Sequence, residues 1–74
     1  MNSSDQMQEA GAYVQRAKQL IQSGDLESAL NELEQLLSDK PAHRDALYFK
    51  AVCQRKLSRY TEALTTLGHL IELH

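Results

Sequence analysis

The fold is decided by residues 24–41, GDLESALNELEQLLSDKP, and by a related stretch at 58–74, SRYTEALTTLGHLIELH. In the first, Leu26, Ala29, Leu30, Leu33, Leu36 and Leu37 fall on one side of a 3.6-residue period, the pattern of an amphipathic helix. Gly24 tolerates the left-handed backbone that commonly follows a helix, so it ends whatever precedes it. Asp25 can then cap the new helix. Pro41 pushes Lys40 out of the helical region and stops it. The second stretch repeats the stripe with Tyr60, Ala63, Leu64, Leu67, Leu70 and Ile71, and Ser58 is its expected cap.

Working outward, a first helix runs to about Gln22 with Tyr13, Ala17, Leu20 and Ile21 on one face. A third spans roughly 43–57 with Leu47, Ala51, Val52, Cys53 and Leu57. Nothing alternates with period two over a strand length, so the expected class is all-α, four antiparallel helices in two hairpins. Residues 1–9, MNSSDQMQE, form a polar leader, either a tail or the opening turn of the first helix.

The two hairpins are related. Sliding the chain along itself until Ala12 meets Ala46 also pairs Ala17 with Ala51, Ala29 with Ala63, Leu30 with Leu64, Leu33 with Leu67, and Leu36 with Leu70. Five of these six identities fall where a helical hairpin needs a small contact or a core side chain. The chain thus divides into 1–9, a repeat at 10–43 and a repeat at 44–74.

Composition narrows the function. Seventy-four residues, 42% apolar and 24% charged, suit one small soluble domain. The single Cys53 rules out an internal disulfide. A net charge of −2 and a pI near 5.8 lack the basic footprint of a nucleic-acid binder. No apolar run reaches the length of a membrane span, and the N-terminus is not a secretory signal. A cytoplasmic module is expected, with no nucleic acid and no membrane among its partners.

A two-helix repeat of this period resembles the tetratricopeptide repeat family, over residues 10–74. Tyr13, Ala17, Leu20, Ala29, Leu33 and Pro41 occupy the family's Trp, Gly, Tyr, Ala, Phe and Pro slots in the first repeat. Leu47, Ala51, Ala63 and Leu67 occupy matching slots in the second. The departures are Arg16 and Lys50 in the Leu slot and Gln54 in the Tyr slot. Long basic side chains can lie along apolar surface with their heads in water, which puts these positions at the hairpin edge and thins the interior. The resemblance implies a right-handed α-solenoid fragment whose function is protein–protein interaction. The second repeat's Pro would fall one residue past His74, which suggests a fragment of a larger protein. The run RDALYFKAVCQRKLSRYTEALTTLGHLIELH further resembles the N-terminal repeats of bacterial proteins that carry a C-terminal sulfotransferase domain.

The family's ligand surface is the concave groove lined by the first helix of each repeat. Carried over slot by slot, it implies Val14, Gln15, Lys18, Ile21 and Gln22, then Asp45, Tyr48, Phe49, Val52, Arg55 and Lys56. An aromatic pair beside Arg is the composition of an interface hot spot. Phe49 packing against the first repeat is the alternative. Residues 44–59 hold five bases against one acid, whereas 25–39 hold five acids and no base. That asymmetry favours an acidic peptide or partner helix in the groove, or else reflects solvated faces and attraction between neighbouring helices. The Lys and Asn residues with which some family members hold chaperone tails are replaced by Val14, Lys18 and Phe49. On the fourth helix Leu64, Leu67 and Ile71 are expected to remain exposed, a face for further repeats or for a copy of the chain. No nucleophile–base pair, phosphate-cradling glycine loop or metal-ligand spacing stands out. Hence no enzyme, cofactor or metal is expected within these residues, and Cys53 is expected to be a small buried hydrophobe.

Overall fold

A computed structural model describes the backbone of residues 3–74 and the side-chain surroundings of residues 10–74. Four helices follow one another: α1 Ser3–Ser23, α2 Leu26–Asp39, α3 Arg44–Lys56 and α4 Tyr60–Leu73. Helix α1 packs on α2 and α3 on α4, while α2–α3 contacts join the hairpins. Of the polar leader, residues 3–9 belong to α1, and residues 1–2 lie outside the described part.

The chain breaks are chemically distinct. Gly24 has φ 89°, and its N–H donates to the Ile21 carbonyl at 3.1 Å while Asp25 N–H reaches Leu20 at 2.9 Å. This paired closure satisfies carbonyls that the helix end would leave bare. Asp25 caps α2 as expected, its Oδ1 accepting from Ser28 N–H at 3.3 Å. The second hairpin corrects one expectation. Ser58 does not cap α4; it takes the left-handed conformation at φ 63°, and Arg59 occupies the cap position without a side-chain bond to the free N–H groups of the helix.

Close helix approach rests on small residues. Ala17 and Ala29 are fully buried, and Ala51 and Ala63 are nearly so at 4% and 6% exposure. Leu33 and Cys53 are the largest side chains that are fully enclosed. The core lies between the first hairpin and the inner side of α3, where Ala46, Phe49, Cys53 and Leu57 pack on α1 and α2.

The departures from the family pattern resolve differently. Arg16 does sit at the hairpin edge, with its guanidinium 4.8 Å from the Tyr13 ring centroid and 3.4 Å from Glu32 Oε2. Lys50 is half-buried. Gln54 overturns the edge expectation: it is buried, and Thr66 Oγ1, also buried, donates to its Oε1 at 2.7 Å. A buried amide is tolerated when a partner replaces its water, and the α3–α4 interface supplies that partner.

Candidate functional site

Residues of α1 and α3 line two hollows on the concave side, and a third lies between α3 and α4. The first, about 570 Å³, lies over Ala10, Val14 and Lys18 and is bounded by Lys40, His43 and Asp45. The second, about 270 Å³, is lined by Lys18, Ile21, Gln22, Phe49 and Val52. The third, about 180 Å³, is formed by Tyr48, Ala51, Val52, Arg55, Ala63 and Leu67. Lys18 lines the first two and Val52 the last two, so each hollow shares a wall residue with the next. The molecule is only 14 Å across its thinnest dimension, which suits an extended or helical ligand better than an enclosed small molecule.

The expected groove residues do not form one wall. Lys18, Ile21, Phe49 and Val52 come together between α1 and α3. Val14 is a correction to an exposed lining: it is 8% exposed, part of the core, and contributes only floor. Phe49 is half-buried against the first hairpin, the packing alternative; the Lys18 ammonium lies 5.5 Å from its ring centroid. Tyr48 meets Phe49 edge to face at 5.1 Å, but with Arg55 it faces the α3–α4 side. Lys56 is exposed and lines none of these hollows.

Two groove residues escape a reading based on first-helix slots, because they belong to the loop. Lys40 ends α2, and His43 caps α3, its Nδ1 accepting from Ala46 N–H at 3.2 Å. That bond leaves Nε2 as the protonated nitrogen of the neutral ring. The only available signal was position, since His is not a preferred capping residue.

Charge follows the helices. Arg16 pairs with Glu32, and Arg59 with Glu27 at 2.9 Å, so part of the acid–base asymmetry is taken up between neighbouring segments. Among the described residues Lys18, Lys40 and Arg55 make no ion pair, and they stand along the hollows.

Cys53 is fully buried, and burial raises its thiol pKa above the ordinary 9.0, against a smaller downward pull from the Lys56 ammonium. A thiol that keeps its proton makes a poor nucleophile. Among the described residues no three His, Cys, Asp or Glu side chains gather as metal ligands. No described helix is long and apolar enough to cross a membrane.

Leu64, Leu67 and Ile71 on α4 are 69%, 37% and 77% exposed, an apolar stripe on the outer side of the second hairpin. No curated protein and no solved structure matches the chain. The model of the tetratricopeptide repeat family matches residues 14–68, from the core of α1 to the middle of α4. With both hairpins built on the same small contacts, the chain belongs to the tetratricopeptide repeat family.

Proposed function

We propose that the chain is a protein-interaction module that takes an acidic peptide or partner helix along its concave side. The observation that carries this reading is the sharing of Lys18 between the first two hollows and of Val52 between the last two. Apolar floor from Ile21 and Val52 would bury ligand side chains, while Lys18 and Lys40 at one end and Arg55 at the other would attract carboxylates. Complementary charge of this kind raises association rates and suppresses wrong partners. Lys18 is the residue most specific to the reading, because its ammonium is held over Phe49 at the junction of two hollows.

Selection of peptides from a random displayed library against the wild-type protein tests it. Enrichment of sequences mixing Glu or Asp with apolar residues is expected. Their affinity should fall with salt and drop at least tenfold in Lys18→Glu. A selection that enriches nothing, or peptides indifferent to Lys18→Glu, rejects the groove.

The tie to a sulfotransferase rests only on the resemblance of residues 44–74. The DNA sequence downstream of the His74 codon decides it.

A further inference from the structure

We infer that the joint between the two hairpins is a catch worked by a proton: the neutral His43 ring holds the first turn of α3 closed, and protonation of that ring releases it. Four hydrogen bonds converge on Ala42 and His43. His43 N–H donates to the Lys40 carbonyl at 3.1 Å, and the His43 carbonyl accepts from Leu47 N–H at 3.0 Å. His43 Nδ1 accepts from Ala46 N–H at 3.2 Å. The Ala42 carbonyl lies 2.6 Å from Nε2 of His74, at the end of α4. Pro41 has its own φ fixed by its ring, so the freedom of the loop falls on these two residues.

Two of the four bonds are made by imidazoles, and they make opposite demands. His74 must carry a hydrogen on Nε2, because a carbonyl only accepts. A neutral ring can supply it, and so can a protonated one. His43 must instead keep Nδ1 bare, which only the neutral ring allows, since both nitrogens of an imidazolium are donors. Ala46 N–H belongs to the first turn of α3, where no carbonyl of its own helix reaches it. It therefore loses its partner when His43 gains a proton from solvent. The charge is also misplaced there, because a cation at a helix N-terminus opposes the helix dipole, whereas at the end of α4 it is favourable.

The surroundings do not neutralise the added charge. Lys18 from α1 and Lys40 from the end of α2 share the first hollow with His43, and Asp45 is the one acid lining it. Arg44 is next in sequence and exposed, and the His74 ring stands on the neighbouring carbonyl. His43 itself is half-buried, so solvent reaches it. Neither α2 nor α4 starts in this way. Helix α2 is capped by the carboxylate of Asp25, and α4 has no side-chain cap. Imidazole is the side-chain type that ordinarily changes charge between about pH 5 and pH 8. Acid thus loosens the start of α3 selectively, and with it Lys40, His43 and Asp45, which form one rim of the first hollow.

The test is nuclear magnetic resonance of the isotope-labelled protein without ligand, titrated from about pH 7.5 to about pH 5. Ring nitrogen spectra at the upper end should show Nδ1 of His43 bare. On acidification the Ala46 amide should lose about tenfold in exchange protection, corrected for the intrinsic rate, as for a helix cap of ordinary strength. The Cα shifts of Arg44 and Asp45 should lose their helical displacement, while Ser28 N–H, capped by Asp25, keeps its protection. His43→Asp supplies a good cap and should hold Ala46 protection and the Cα shifts constant over this range. His74→Gln keeps a donor for the Ala42 carbonyl and should leave the acid response in place. Constant Ala46 protection and Cα shifts in the wild type overturn the proposal, because the ring then takes its proton without releasing the helix. Persistence of the response in His43→Asp, or its loss in His74→Gln, overturns it by placing the proton elsewhere. No ligand is present, so the result is independent of whether the groove binds a peptide.

Discussion

Gly24 and Ser58, equivalent positions in the two repeats, hold the same left-handed conformation and close their helices with the same two backbone hydrogen bonds. Ser58 N–H reaches the Arg55 carbonyl at 2.9 Å and Arg59 N–H the Gln54 carbonyl at 2.7 Å, matching the pair at Gly24 and Asp25. The repeat therefore extends to hydrogen bonds whose residues are not alike. A residue with a Cβ is strained at this φ by about 1–2 kcal/mol, offset in part by the lower chain entropy of Ser in the unfolded state. Ser58→Gly should stabilise the protein by about 0.5–1 kcal/mol, seen as a raised urea midpoint at constant slope. A lowered midpoint would show that the serine side chain contributes something the backbone does not need.

The buried pair Gln54–Thr66 predicts strong non-additivity. Thr66→Val leaves the Gln54 amide enclosed without its partner and should cost about 1–3 kcal/mol. Combined with Gln54→Leu, the change should cost less than the single substitution, because Leu20 already fills the corresponding place in the first hairpin. Chemical denaturation of the two single variants and the double variant measures the coupling. Simple additivity would mean that the pair contributes no mutual stabilisation.

Ala12 and Ala46 are identical residues at equivalent positions with opposite surroundings, the first exposed and the second fully buried. Ala46→Leu should lose about 1–3 kcal/mol through overpacking against the first hairpin. Ala12→Leu should lie within about 0.5 kcal/mol of wild type. Thermal melts of the two variants provide the comparison, and equal losses would contradict the packing of α3 on α1 and α2.

Cys53 should resist iodoacetamide in the native state and react at the rate at which α3 opens. Its folded pKa lies above the ordinary 9.0, so the native state holds the proton more tightly than the unfolded state. Stability from this source is complete below pH 9 and declines as pH rises towards the folded value. Wild type should therefore lose more stability than Cys53→Ala between pH 8 and pH 10. Equal losses would place the thiol in a solvated setting.

The backbone is legible in the sequence because it follows from spacing. Alanines recurring at equivalent places in the two repeats mark close approaches, Asp25 marks a cap, and the apolar stripes mark the packed faces. Side-chain surroundings are less legible, because they depend on what lies across from a position. Val14 and Tyr48 fill the same slot, yet one is core and the other is half exposed, since α3 covers only the first. Gln54 reads as an edge residue because its partner Thr66 is twelve positions away on another helix. Ser58 reads as a cap because serine caps often; its φ is fixed by the chain reversal into α4 rather than by its side chain.

Helix α4 packs on α3 alone and is tied elsewhere at its ends, by Arg59 to Glu27 and by the His74 ring to the Ala42 carbonyl, so its inner hydrogen bonds can open with little disturbance of the first hairpin. Segments of this kind exchange their amide hydrogens through local rather than global unfolding. Whatever binds the outer stripe of α4 must also keep the helix wound, so occupancy and order there are one equilibrium seen from two sides. Amide protection along residues 60–73 thus becomes a direct gauge of whether the face is filled, readable without knowing the partner.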